Sequence, residues 1–96
     1  MTAYVYMMTN KPDGVLYTGI TTDLVERVAA HREGRGSEFA ARYKCRHLVW
    51  YADFEDISAA IGHEKRLKKW RRAWKVKLIE EINPSWEDLY GGLVGL

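Results

Sequence analysis

The stretch AYVYMMTNKPDGVLYTGI, residues 3–20, decides how this chain folds. Residues 3–9 are rich in β-forming side chains, and so are residues 15–20. Between them Asn10-Lys11-Pro12-Asp13-Gly14 is a strong turn signal, so the stretch predicts a β-hairpin. Side chains alternate across a strand, which puts Tyr4, Tyr6 and Met8 on one face and Val15, Tyr17 and Gly19 on one face of the partner. If the turn occupies 10–13, Tyr6 stands opposite Tyr17 and Tyr4 opposite Gly19. Two readings are open. Aromatic cross-strand pairs stabilise hairpins by up to about 1 kcal/mol, or two hydroxyls meet on one surface beside a position with no side chain.

Outward from the hairpin, Thr22 or Asp23 caps a helix over about 23–33, with Glu26 placed for a capping box and Gly34 as its stop. Residues 35–46 are polar and basic, with one helical turn around Ser37–Tyr43. His47–Phe54 reads as a third strand. Asp56 or Ser58 then opens a helix to about residue 70, and a second helix over 72–82 stops at Asn83-Pro84, because proline cannot continue it. The tail SWEDLYGGLVGL carries one short turn before fraying. The order ββαβαα predicts an α+β fold, a small three-stranded antiparallel sheet flanked by helices. One domain covers 1–80, and 81–96 form a short C-terminal extension.

Ninety-six residues suffice for one compact domain. With 47% hydrophobic residues the chain can build a core, which argues against disorder. No apolar run approaches the ~20 residues of a membrane span, and the N-terminus lacks a basic region followed by a long apolar one. A lone cysteine, Cys45, has no internal partner. These features predict a cytoplasmic protein with no membrane partner. A zinc site and a P-loop find no support in the residue spacings.

Net charge is only +2, but eight of the fifteen Lys and Arg residues lie between Lys65 and Lys77, with no acidic residue among them. Segregated positive charge suits phosphate binding, and it equally suits a solvated helix face.

Two constellations depart from simple amphipathic patterning. Ile57, Ala60, Ile61 and Leu67 make an apolar stripe at helical spacing, and Glu64 sits inside it. A carboxylate taken from water without compensation costs several kcal/mol. Either Lys68, four residues on, pairs with it, or a hard divalent cation does. Arg27 and His31 lie one helical turn apart, which suits either a phosphate or a helix end that favours positive charge.

Taken as one set, these residues resemble the GIY-YIG nuclease superfamily. Tyr4-Val5-Tyr6 stands where that family has Gly-Ile-Tyr, and Tyr17-Thr18-Gly19 where it has Tyr-Ile-Gly. Ten residues separate the triplets, and Arg27, His31 and Glu64 follow in order. The resemblance spans roughly residues 3–80 and extends to small stand-alone bacterial members, through WKVKLIEE at 74–81 and NPSWEDL at 83–89. Tyr4, Val5 and Thr18 depart from the triplets. Ile20 replaces a lysine found in excision-repair relatives, which implies a slower reaction.

The resemblance implies a metal-dependent endonuclease that hydrolyses phosphodiester bonds in DNA, in preference to RNA, on branched or structured substrates of repair or recombination. It implies Tyr6, Tyr17, Arg27, His31 and Glu64 as catalytic residues. Glu64 would hold Mg²⁺ or Mn²⁺, Tyr17 would be the general base with Tyr6 as neighbour or substitute, and Arg27 and His31 would grip the scissile phosphate. Free tyrosine titrates at about 10, so a base working near neutrality must have its pKa lowered by about three, roughly 4 kcal/mol of preference for tyrosinate. Gly19 would let the backbone pass close to nucleic acid, and Lys65, Lys68, Lys69, Arg71, Arg72 and Asn83 would hold its flanking parts. The alternatives are a catalytically weak or inactive nucleic-acid-binding module of the same fold, and a protein-docking surface at Trp70, Trp74 and the tail.

Overall fold

The computed structural model describes residues 2–95. Strands β1 (Ala3–Thr9), β2 (Leu16–Thr21) and β3 (His47–Phe54) form one antiparallel sheet in the order β2-β1-β3. Helices α1 (Leu24–Arg32) and α2 (Glu38–Arg42) connect β2 to β3. Helices α3 (Ile57–Lys69), α4 (Arg72–Ile82) and α5 (Tyr90–Val94) follow. The three-stranded α+β architecture expected from the sequence is the one found.

Alternation on β1 explains the layering. Val5 and Met7 enter a core with Val49, Trp50, Ala60, Leu67, Ile79 and Trp86, so α3 and α4 cover that face of the sheet. Tyr6 and Met8 enter a second core with Leu24, Val28, Ala40, Cys45 and Leu48, beneath α1, α2 and α5. Central β1 is therefore covered on both faces, whereas β2 is an edge strand. The Cys45 thiol is fully buried and pushed above its usual pKa by burial, which disfavours a reactive thiolate.

Local signals set most boundaries. Asp23 caps α1 by accepting from the Glu26 amide, and Gly34 ends that turn with a φ of +80°. Ser37 caps α2 through the Ala40 amide, and Asp56 caps α3 through that of Ala59.

Three expectations need correction. The hairpin register is shifted by two residues, so Tyr6 pairs with Gly19 and Tyr17 with Met8. The loop is longer than the turn signal suggests, because the Asn10 side chain accepts from the Val15 amide and holds residues 10–15 out of the ladder. The stripe on α3 is narrower: Ala60 and Leu67 are buried, but Ile57 and Ile61 are exposed. The described part of the tail packs on the domain rather than fraying. Trp86 is buried in the α3/α4 core, Leu89, Tyr90 and Leu93 pack on the other, and the Leu89 amide donates to the Leu48 carbonyl.

Candidate active site

On α1, Leu24, Val28 and His31 are spaced four and three residues apart and all face the sheet. His31 thus occupies a core position, where it is 2% exposed. Its Nε2 is hydrogen bonded to the Tyr6 hydroxyl at 2.8 Å. The Tyr6 ring lies over Gly19, where an added Cβ would come within 2.5 Å of the phenolic oxygen. Gly19 is buried, so its missing side chain makes room for Tyr6.

Tyr17 completes an aromatic cluster, its ring centroid 5.1 Å from that of His31 and 6.3 Å from that of Tyr6. The two tyrosines thus converge despite the shifted register. They share a sheet face whichever even-numbered register is taken.

Burial dominates the electrostatics. It holds the Tyr6 phenol well above its usual range, reinforced by neighbouring Tyr17, while the Arg27 guanidinium pulls the other way. Burial also lowers the His31 imidazole to about 4, with Arg27 adding to the effect. Near neutrality the Tyr6–His31 hydrogen bond therefore joins two neutral rings. Arg27, one turn before His31 and half-buried, supplies positive charge beside both.

Glu64 approaches from α3, on the other face of the sheet. Its side chain is only 12% exposed and is bound by the Lys68 ammonium at 2.9 Å. The salt bridge is the partner observed for this carboxylate. Lys68 joins Lys75, Leu16, Tyr17, Thr18 and Phe39 around a groove of about 310 Å³. Leu16 lies on the α3 side of β2 and Tyr17 on the α1 side, so the groove wraps the sheet edge. The Glu64–Lys68 pair and the Tyr6–Tyr17–His31 cluster therefore flank the same edge strand.

The remaining expected contacts separate. Asn83 is buried, and its side-chain nitrogen donates to the carbonyls of Val49 and Glu87 while its oxygen accepts from the Glu87 amide. Those bonds commit the amide to the fold. The Arg72 guanidinium donates to the carbonyls of Asp13 and Gly14, clasping the hairpin loop. Arg71 lies over Trp74, and Lys65 and Lys69 are exposed.

Two residues carry roles that the sequence does not announce. Gly36 packs against the His31 ring so closely that a Cβ would collide with the imidazole; in Gly34-Arg35-Gly36-Ser37 it reads only as loop. Lys75 is half-buried on the groove, its pKa lowered by burial and then by Arg72 and Lys68. In sequence it is one of eight similar cations. No group of three or more His, Cys, Asp or Glu side chains suited to a metal occurs among the described residues.

A family model described as the GIY-YIG catalytic domain matches residues 2–77. A UPF0213 protein of Staphylococcus haemolyticus is 37% identical over 78 residues, covering 81% of this chain and 94% of that protein. Another, of Aeromonas salmonicida, is 37% identical over 75 residues, covering 78% of this chain and 54% of that protein. The solution NMR structure of a UPF0213 protein from Bacillus halodurans superposes with a TM-score of 0.55 at 28% identity, covering 95% of this chain and 96% of that one. On the extent of the domain match and the identity to these relatives, this chain belongs to the GIY-YIG family.

Proposed function

We propose that this chain is a metal-dependent endonuclease that hydrolyses phosphodiester bonds in DNA, acting in the cytoplasm on branched or structured substrates of repair or recombination. The observation that carries this reading is the gathering of Tyr6, Tyr17, Arg27 and His31 at one sheet edge, with the Glu64–Lys68 pair on that edge's other flank.

Phosphodiester hydrolysis needs an attacking water relieved of a proton, charge to balance the phosphorane, and help for the leaving oxygen. Tyr6 is held protonated by burial, so it serves as a hydrogen-bonding neighbour rather than a base. Tyr17, half-buried on the open groove, is the phenol left to take the water's proton. Arg27 offers a guanidinium fork to the scissile phosphate. His31, neutral and bonded to Tyr6, fixes the Tyr6 hydroxyl in place.

Glu64 fits a hard divalent ion as its lone protein ligand, since Mg²⁺ keeps several waters and needs only one or two carboxylates plus phosphate oxygens. When bound there, Mg²⁺ or Mn²⁺ would supply positive charge to a phosphate oxygen and the departing oxyanion. Lys68, 53% exposed at its side chain, is free to leave Glu64 and turn toward a phosphate of the flanking chain.

Incubation with Mg²⁺ or Mn²⁺ against flapped, branched, duplex and single-stranded DNA and against RNA, with and without EDTA, tests the proposal. Cutting of a branched or flapped DNA that EDTA stops is the expected result. The Glu64–Lys68 ion pair also suits an inactive nucleic-acid-binding module. Salt-sensitive binding with no turnover on any substrate would establish that reading instead.

A further inference from the structure

Helix α2 is built the wrong way round for a surface helix. Of its five residues only Ala40 is buried, while Phe39 is 46% exposed and Tyr43, at its C-terminal cap, 42%. Contiguous exposed apolar surface rimmed by polar groups is where ligand-binding grooves occur. The two rings lie 4.8 Å apart between centroids. Phe39 continues inward to Tyr17 at 6.2 Å, the two planes within 29° of parallel. Tyr43, Phe39 and Tyr17 thus form a ladder from solvent to the candidate active site.

The ladder's flanks are basic. The Arg42 guanidinium sits 5.8 Å from the centre of the Tyr43 ring, and Lys44 follows at once in the exposed chain. At its inner end Lys68 and Lys75 line the same groove as Phe39 and Tyr17. Glu38 lies beside the two rings, and Glu64 pairs with Lys68 at the inner end. Aromatic faces interleaved with cations suit a strand whose bases are unpaired: each ring takes a base face, and the ammonium and guanidinium groups take the phosphates between. A duplex, with its bases already stacked, offers the rings nothing comparable.

We propose that Phe39 and Tyr43 are a base-stacking subsite leading to Tyr17, so that the substrate presents unpaired nucleotides beside the scissile phosphate, as at a flap or a single-stranded branch. This rests on the nucleic-acid reading given above and names its substrate class.

The test measures binding in EDTA, where no metal-dependent cleavage intervenes. Fluorescence anisotropy of a labelled oligo-dT strand and of a blunt duplex of matched length is compared for the wild-type chain, Phe39→Ala, Tyr43→Ala and Phe39→Tyr. Loss of one stacked base corresponds to an affinity loss of about 5- to 150-fold. The expected result is a loss in that range for each alanine variant on oligo-dT, little change on the duplex, and retention by Phe39→Tyr. An equal loss on strand and duplex, or no loss on the strand, overturns the subsite. So does a failure of the wild-type chain to bind either, which would leave the rings as a protein-docking surface. Duplex cleavage alongside strand binding indifferent to Phe39 sinks the subsite and spares the nuclease reading. Strand binding that depends on Phe39 without turnover on any substrate does the reverse.

Discussion

Burial lowers the His31 imidazole to about 4, against 6.5 for the free side chain, and this ties the candidate site to acid stability. Above pH 6.5 the ring is neutral in both folded and unfolded chains and contributes no difference. As pH falls from 6.5 to 4 the unfolded chain binds a proton that the folded chain refuses, so stability drops across that window and the loss levels off below it. The full loss is on the order of 3 kcal/mol. Chemical denaturation at stepped pH should show this slope in the wild-type chain and a flatter one in His31→Gln; identical slopes would show that His31 does not carry it. Gly36 acts on the same ring. Gly36→Ala should cost about 1–3 kcal/mol through overpacking, and should slow any cleavage by displacing His31 from Tyr6. Unchanged melting and unchanged rate would mean that the loop yields freely. Of these residues, Tyr6 and Tyr17 were legible as neighbours, because alternation fixes which face each one takes. His31 joins them only through the family resemblance, since helical spacing alone suits it equally to a phosphate or a helix end. The demand for glycine at 36 was not legible, because the tertiary fold, and no local pattern, sets the imidazole against it.

At the scale of elements, legibility followed the local nature of each signal. Strand β3 and helix α4 fall where hydrophobic pattern and Asn83-Pro84 put them. The hairpin register did not, since one side-chain bond from Asn10 lengthens the loop. A two-residue slip leaves every side chain on its expected face, so the sheet's layering survived the error. The tail escaped for the opposite reason: its anchors are long-range. Asn83 ties α4 to Val49 on β3 and to Glu87, and the Asp88 carboxylate accepts from the Leu48 amide. Asn83→Ala removes three such bonds and should cost about 2–4 kcal/mol. DNA affinity measured well below the melting temperature should be unaltered; a large loss there would restore Asn83 as a ligand. Within α3, Gly62 has room for a methyl group, whose nearest neighbour would be the Arg66 side chain at 3.6 Å. Gly62→Ala should therefore stabilise the chain by up to about 1 kcal/mol, and a lower melting temperature would reveal a contact that the packing does not show.

Across the whole molecule, a sheet covered on both faces leaves the edge of β2 as the place where residues from both layers meet open space. On the proposed function, that arrangement would let Glu64 on one layer serve chemistry begun by tyrosines on the other. The run of cations from Lys65 to Lys77 was legible as charge, but its division was not. Helix turns send Arg72 to the hairpin loop and Lys68 and Lys75 to the groove. Lys75→Ala should weaken DNA binding about equally across sequences and lower the slope of log affinity against log salt by about one. An unchanged slope would place Lys75 outside the phosphate path.

On the proposed function, Glu64 is held near-buried for use at that edge and not merely to pair with Lys68. The direct measurement is the single-turnover rate on a flapped DNA with saturating Mg²⁺, for wild type and for Glu64→Gln. That substitution keeps the shape and removes the charge. A fall of at least about 100-fold with the melting temperature preserved is predicted. Cleavage by Glu64→Gln at the wild-type rate would contradict it.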